Sequence, residues 1–303
     1  MAQTYGRFAP TPSGELHLGS LLAAVGSYLA ARATGGRWLL RIDDLDLPRV
    51  VPGATDAILR SLESHGLHWD GEVLYQSRRA DAYRAALQQL RAAGLAYPCA
   101  CTRRELAAIA RAGVDGPVYP GTCRNGPAAN RPARALRLRV PDADIGFFDA
   151  VQGEYRHNLE RAVGDFILQR ADGLIAYQLA TVVDDAFQGV TQVVRGVDLL
   201  ASTPRQIHLQ QCLGLPRPDY THLPLLVDRQ GMKLGKQTGA GPLDDRHASA
   251  NLRQVLAALQ LPPPADLRGA PPAELLRWAT AHWEPARLAG HTAIRAQDIR
   301  AVP

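Results

Sequence analysis

Three stretches of this chain hold residue types that can do chemistry together. The first runs from Arg7 through Phe8-Ala9-Pro10-Thr11-Pro12-Ser13-Gly14-Glu15-Leu16-His17-Leu18-Gly19-Ser20. It leaves a strand-like Tyr5-Gly6-Arg7-Phe8 and enters apolar residues at helical spacing (Leu18, Leu21, Leu22, Val25, Tyr28, Leu29). A helix starting there offers free N–H groups and the positive end of its dipole, which suits phosphate. His17 adds a donor, and Gly19 lets a ligand approach the backbone closely. Read alone, the stretch also fits a surface loop, stiffened by Pro10 and Pro12 and turned at Gly14, that feeds a core helix. The second stretch is Met232-Lys233-Leu234-Gly235-Lys236-Gln237. Its two lysines either neutralise phosphate charge or form an ordinary solvated loop. The third is Cys99-Ala100-Cys101 with Cys123. Three thiolates leave one position of a tetrahedral zinc open, and no histidine lies between Cys101 and Cys123. The competing reading is three small buried thiols. Cys212, in a helix far along the chain, reads as core.

The elements that must position these groups alternate. Trp38 to Ile42 reads as a strand ending at Asp43-Asp44-Leu45-Asp46, a cluster that either binds a cation or caps the next helix. Ala54 to Gly66 is helical, Val73 to Tyr75 a short strand, and Ala80 to Ala93 a helix ending at Gly94. This βαβα order predicts an α/β fold with a Rossmann-type parallel sheet, ligands sitting beyond the carboxyl ends of the strands. Residues 1–94 form its first half. Residues 95–160, rich in Pro, Gly and Cys, read as an insertion. Its strand Ala135–Val140 alternates apolar and basic residues and should keep one wet face. Residues 161–228 return to α/β character. Asp165–Arg170 and a strand Ala176–Ala180 flank the turn Asp172-Gly173, and Val193-Val194-Arg195-Gly196 ends a further strand. A helix follows from Pro204 to Cys212, then a strand Leu223–Val227. Residues 229–303 hold the lysine loop and helices Asn251–Leu261 and Pro272–Trp283, parted by Pro262-Pro263-Pro264.

Composition sets outer limits. The chain has 303 residues, 46% hydrophobic, with 34 basic against 29 acidic residues and a net charge of +5, compatible with a nucleic-acid partner. No run reaches the ~18 apolar residues of a membrane span, and the start of the chain lacks a secretory pattern, so a cytoplasmic monomer is expected. In a reducing compartment the clustered cysteines favour metal over disulfides.

The order of these motifs is that of a known family. The loop Phe-Ala-Pro-Thr-Pro-Ser-Gly-x-Leu-His-x-Gly comes first, then Arg41-Ile42-Asp43-Asp44-Leu45-Asp46 and Tyr177-Gln178-Leu179-Ala180. Val193-Val194-Arg195-Gly196-Val197-Asp198-Leu199 and Lys233-Leu234-Gly235-Lys236 complete it. From about residue 5 to 240 the chain resembles the class I glutamyl-tRNA synthetases, with His17–Ser20 and Lys233–Gln237 at their two ATP-binding motifs. Only 66 residues follow Gln237, fewer than a helical anticodon-binding region needs. With the cysteine cluster, this makes the chain similar to the glutamyl-queuosine tRNA(Asp) synthetases.

The resemblance implies activation of L-glutamate with ATP and Mg²⁺ to glutamyl-adenylate, without tRNA. Glutamate would then pass to the queuosine base in the anticodon loop of tRNA(Asp). It assigns Arg7 through Thr11, Asp43, Tyr177 and Arg195 to the glutamate pocket. Arg7 and Arg195 would meet carboxylates and Asp43 the ammonium, although the wider family often has the longer Glu at that position. It assigns His17, Gly19, Lys233 and Lys236 to ATP, and Cys99, Cys101, Tyr119 and Cys123 to one structural zinc. Gly235 and Gln237 stand where the second motif usually has serines. Arg78, Arg79, Arg131, Arg134, Arg137 and Arg139 are candidates for RNA contact, and the remaining histidines read as structural or surface residues. Three other readings compete: a short synthetase charging tRNA(Glu), a related nucleotidyltransferase acting on a vitamin precursor, and a non-catalytic RNA-binding paralogue. The Arg7/Arg195/Tyr177 set argues against the second, and the His17, Gly19, Lys233 and Lys236 set against the third.

Overall fold

The structure, a computed structural model, describes residues 3–128, 130–235 and 241–299. In chain order, β1 (Tyr5–Phe8), α1 (Leu18–Ala33), β2 (Arg37–Ile42), α2 (Ala54–Ser64), β3 (Leu74–Tyr75) and α3 (Ala80–Ala92) form the first half. β1, β2 and β3 are parallel neighbours, with Arg7 opposite Leu39. Next come β4 (Ala96–Cys99), α4 (Arg103–Ile109), β5 (Ala112–Gly113), β6 (Gly116–Pro117), β7 (Ala135–Leu138), β8 (Asp144–Asp149), β9 (Gly153–Asn158), α5 (Leu159–Ala162) and β10 (Ile167–Gln169). Then follow α6 (Tyr177–Phe187), β11 (Gln192–Gly196), α7 (Thr203–Leu213), β12 (Asp219–Leu223) and β13 (Leu225–Val227). The last elements are α8 (Ala248–Ala258), α9 (Pro272–Ala281) and β14 (Ala293–Arg295).

β11 lies along the free edge of β1. Tyr5 N–H donates to Thr191 Oγ1 at 2.9 Å, and Thr191 N–H donates to Tyr5 O at 3.0 Å. β12 pairs parallel with β11, and the β8–β9 hairpin extends the sheet beyond β12. The resulting order, β3-β2-β1-β11-β12-β8-β9, puts the topological switch between β1 and β11, where ligands of doubly wound sheets bind. α1 is apolar on nearly every side because it is buried between this sheet and α8 and α9 (Leu21, Leu22, Val25 and Leu29 against Leu252, Leu256 and Leu276). Gly26 lets Leu223 pack close to the helix there: a Cβ would stand 2.4 Å from Leu223 Cδ1. Among the described residues no helix is long and apolar enough to cross a membrane.

Between the halves, β4, β7 and β10 form a separate antiparallel sheet beside the β5–β6 hairpin. Three local expectations change. Tyr177-Gln178-Leu179-Ala180 is the start of helix α6 rather than a strand. Five residues are too few to separate the two periods, whereas the buried Leu179, Val182 and Asp185 recur at helical spacing. Strand Leu223–Val227 is two strands, because Pro224 has no N–H to continue the ladder. The basic face of β7 is not uniformly wet: Arg137 is buried, with its guanidinium carbon 3.7 Å from the Tyr119 ring centroid.

Candidate active site

The carboxyl ends of β1 and β2 and the helix α6 bring basic and acidic side chains into one buried group. Arg7 Nε donates to Asp185 Oδ1 at 3.2 Å. Arg41 Nη1 donates to the same oxygen at 2.6 Å, and Arg41 Nε donates to Asp43 Oδ1 at 2.8 Å. Burial disfavours an ionised Asp185, but the Arg7 and Arg41 charges overcome it and hold the carboxyl below its usual range. Asp43 goes the other way: burial outweighs Arg41 and pushes it up to about 6. Asp43 N–H also donates to Pro10 O at 3.0 Å, fastening the first loop to the end of β2.

Arg195, at the end of β11, is 5% exposed. Its Nε donates to His222 Nε2 at 3.1 Å and its Nη2 to Thr203 Oγ1 at 2.9 Å. Its Nη1 is buried with no hydrogen-bond partner among the described residues. A buried guanidinium N–H without a partner is costly, so this atom can take an anionic group. Ala9, Pro10 and Thr11 are half-buried, and Tyr177 is 39% exposed at the first turn of α6. Phe8 differs: its ring is buried and stacks against Trp38 at 6.3 Å, so its side chain belongs to the core.

At the other end of the first loop, His17 caps α1. Ser20 N–H donates to His17 Nδ1 at 3.2 Å, and His17 N–H donates to Ser20 Oγ at 2.9 Å. A neutral ring accepting at Nδ1 carries its proton on Nε2. A Cβ on Gly19 would lie 3.1 Å from Leu234 O, so the two lysine- and histidine-bearing motifs meet at this glycine. Lys233 Nζ pairs with Asp198 Oδ2 at 2.5 Å, and both side chains are partly exposed. Gly196 makes room for that aspartate, since a Cβ would stand 2.6 Å from Asp198 Oδ1. Lys236, and Gln237 with it, lie outside the described residues.

The cysteine cluster sits apart, where β4 and β7 meet. The Sγ atoms of Cys99, Cys101 and Cys123 lie within 4.8 Å of one another. Tyr119 Oη is 3.5 Å from Cys99 Sγ and 3.7 Å from Cys101 Sγ, and Cys101 and Cys123 are 3.6 Å apart. Tetrahedral zinc with Zn–S of about 2.3 Å and Zn–O of about 2.0 Å has edges of about 3.8 and 3.5 Å. The donor set therefore fits the ion. Cys123 N–H donates to Tyr119 Oη at 2.8 Å, and Arg137 Nε donates to Cys99 Sγ at 3.3 Å, which favours anionic ligands. Burial raises Cys99, but the Tyr119 and Arg137 hydrogen bonds overcome it and lower its thiol below the usual value.

Sequence reasoning missed several residues of these groups. Arg41, Asp185, Asp198, Thr203, Asp149 and His222 all hold a residue that it had named or complete its setting. The adjacent acids Asp184-Asp185 in an otherwise apolar helix were the available signal, because buried acids demand partners. The arginines proposed for RNA are mostly engaged: Arg137 as above, Arg79 with Asp184 at 2.7 Å, and Arg131 with Glu105 at 2.9 Å. Arg139 donates to Arg124 O at 2.6 Å, whereas Arg134 is exposed. Arg137 is removed from the RNA set by its burial.

Known proteins share this arrangement. Residues 3–251 match the family tRNA synthetases class I (E and Q), catalytic domain. The glutamyl-Q tRNA(Asp) synthetase of Thiobacillus denitrificans is 59% identical over 282 residues, 93% of this chain and 94% of that protein. The protein of the same name from Chromobacterium violaceum is 57% identical over 283 residues, again 93% of this chain and 94% of the relative. Among solved structures, a glutamate tRNA ligase from Elizabethkingia meningosepticum, in complex with its amino acid, matches with a TM-score of 0.79. It is 25% identical and covers 98% of this chain and 68% of that one.

Proposed function

We propose a two-step reaction from one premise: the chain belongs to the glutamyl-Q tRNA(Asp) synthetase family of class I tRNA synthetases. The protein is a ligase that activates glutamate with ATP and passes it to the queuosine base of tRNA(Asp). The observation that carries the glutamate reading is Arg195, whose Nη1 is buried and has no partner among the described residues while its other two nitrogens are tied down.

In the first step a glutamate α-carboxylate oxygen attacks the α-phosphorus of ATP and pyrophosphate leaves. Such a reaction asks mainly for positioning and charge stabilisation. Arg195 and Arg7 hold the two carboxylates, with the Tyr177 hydroxyl alongside. Asp43, ionised above about pH 6, takes the ammonium. The backbone of residues 8–11 walls the pocket. His17 Nε2–H and the N-terminus of α1 bind phosphate oxygens beside Gly19. Lys233 exchanges Asp198 for the leaving pyrophosphate, and Lys236 adds the second positive charge. Mg²⁺ enters with ATP. In the second step a hydroxyl of the queuosine cyclopentene ring attacks the activated carbonyl and AMP leaves. An acyl-adenylate needs little acid–base help, and no residue is assigned to that role.

One zinc held by Cys99, Cys101, Cys123 and Tyr119 would be structural, cross-linking β4 to the 119–123 turn. Residues 95–160 then act as an insertion between the catalytic halves 1–94 and 161–228, with residues 229–303 supplying the lysine loop and supporting helices. ATP–pyrophosphate exchange across amino acids, without tRNA, tests the pocket: exchange with glutamate is expected, and its absence sinks the assignment. Transfer of labelled glutamate is expected only to tRNA(Asp) bearing queuosine; charging of unmodified tRNA(Glu) instead would replace this reading by the short-synthetase one. Metal analysis should return one zinc per chain, lost with a fall in Tm on Cys123→Ser.

A further inference from the structure

A buried chain of hydrogen bonds lies behind Arg195 that the reaction above leaves unused. Asp149 ends β8, His222 lies in β12, and Arg195 in β11 is the Cα partner of His222. Asp149 and His222 are wholly buried. Asp149 Oδ1 accepts the backbone N–H groups of Val151 at 3.0 Å, Gln152 at 2.9 Å and His222 at 3.1 Å. Asp149 Oδ2 lies 2.6 Å from His222 Nδ1. Across the ring, His222 Nε2 faces Arg195 Nε at 3.1 Å. A guanidinium N–H can only donate, so Nε2 accepts and the ring proton sits on Nδ1. Burial, aided by the Arg195 charge and opposed by Asp149, pushes His222 down to about 4, which keeps Nε2 available as an acceptor. Thr203 Oγ1 takes Nη2 at 2.9 Å, leaving Nη1 as the guanidinium nitrogen aimed at a ligand.

We propose that Asp149 and His222 are positioning residues for the amino-acid carboxylate. Asp149 Oδ2 fixes the Nδ1–H tautomer of His222, and the Nε2 lone pair, with Thr203, sets the rotation of the Arg195 guanidinium and so the direction of Nη1. This rests on Arg195 binding a substrate carboxylate. The two oxygens of Asp149 separate this role from a structural one. Oδ1 stitches the turn after β8 to β12, whereas Oδ2 serves only the histidine. Asp149→Asn, with its oxygen kept on the three backbone donors, turns an NH₂ toward Nδ1. The ring proton moves to Nε2 and confronts Arg195 Nε–H.

The test is glutamate-dependent ATP–pyrophosphate exchange by the full chain, with imidazole ¹⁵N spectra and thermal melts in parallel. Asp149→Asn should raise KM for glutamate about tenfold or more, the scale of one lost hydrogen bond to a charged group, with KM for ATP unchanged. The His222 proton should move from Nδ1 to Nε2. His222→Gln should raise KM for glutamate too, and adding Asp149→Asn to it should change little further, because an amide has no tautomer to fix. Wild-type His222 protonated on Nε2 overturns the proposal, and that measurement stands even where Asp149→Asn fails to fold. So does an Asp149→Asn protein with lowered Tm and unchanged KM for glutamate. Arg195→Lys separates the two levels. If it raises KM for glutamate while Asp149→Asn and His222→Gln do not, only the positioning role fails; if it leaves KM unchanged, the carboxylate assignment fails and takes the positioning role with it.

Discussion

The two ends of the Arg7–Ser20 loop are built on opposite principles. At the amino-acid end, Arg7, Arg41, Asp43 and Asp185 are each at most 8% exposed and joined by charge-assisted hydrogen bonds, and Arg195, 5% exposed, is held by His222 and Thr203. Their desolvation is complete before any ligand arrives. At the nucleotide end, the Lys233 and Asp198 side chains are 52% and 38% exposed. An ion pair in water is worth about 0–1 kcal/mol, so little opposes its exchange for a phosphate. Such a division suits the two ligands. A small amino acid must be selected by fixed geometry, while a large polyanion brings its own charge to an exposed ion pair that it can replace. The contrast predicts that damage at the first end appears in stability and glutamate binding together, and damage at the second in the use of ATP without loss of stability.

The largest effect should come from Asp185→Asn. Removing that charge leaves Arg7 and Arg41 with Asp43 as the acid still bonded to Arg41, and uncompensated buried charge costs about 3–5 kcal/mol. A drop in Tm together with loss of glutamate-dependent exchange is expected; a wild-type melt would show that the buried group does not depend on its central acid. Asp185 is held low, so its stabilising contribution is complete above the unfolded carboxyl value and is lost as pH falls through the folded one.

Lys233→Ala comes next and tests the other end. The exchange rate should fall about 100-fold, the usual scale for removing one group that stabilises developing charge. The melting curve should move by less than about 1 kcal/mol, because the lost pair is solvated. A strongly lowered Tm would erase the distinction between the two ends.

A pH series divides the ends without mutation. Asp43 is raised from 3.8 to about 6, so it is ionised above about pH 6 and neutral below. KM for glutamate should therefore climb as pH falls through 6, while KM for ATP follows the phosphate titration alone. For folding the sign is reversed relative to Asp185: a raised carboxyl costs stability as pH increases between its unfolded and folded values. In Asp43→Asn the climb in KM near pH 6 should vanish; if it persists, another group is responsible.

The same division explains what was legible before any coordinates. Motif residues proposed to face ligands, such as His17, Gly19, Arg195 and Lys233, could be picked out because their chemistry is stated by type and order. The helices α1 and α2 were readable because each is long enough to show its period. Residues that hold the motif residues were not. Asp185 and Asp149 are acids whose partners lie 144 and 73 positions away, at Arg41 and His222; the Asp184-Asp185 pair signals that a partner is needed, but nothing local says which residue it is. His222 was passed over as one of several scattered histidines because sheet register, not spacing, sets it against Arg195. Arg137 misled for a related reason. Strand alternation put it on a polar face, but that face is covered by Tyr119 and the cysteines.

The smallest predicted effect concerns Gly235. Serine is usual at this place in related lysine motifs, and glycine here gives up a hydroxyl donor. Among the described residues nothing lies within 4 Å of where its Cβ would stand, and it is not among the glycines with positive φ. Gly235→Ser should therefore fold as the wild type does. Serine narrows the backbone freedom of the unbound loop, and its hydroxyl can reach a phosphate oxygen; one such hydrogen bond is worth about 0.5–1.5 kcal/mol. KM for ATP should fall about two- to tenfold, with KM for glutamate unmoved because the buried end is already formed. A change in both constants would mean that the lysine loop and the amino-acid pocket are coupled through Asp198 and Gly196, and that the ends of the site are less independent than their burial suggests.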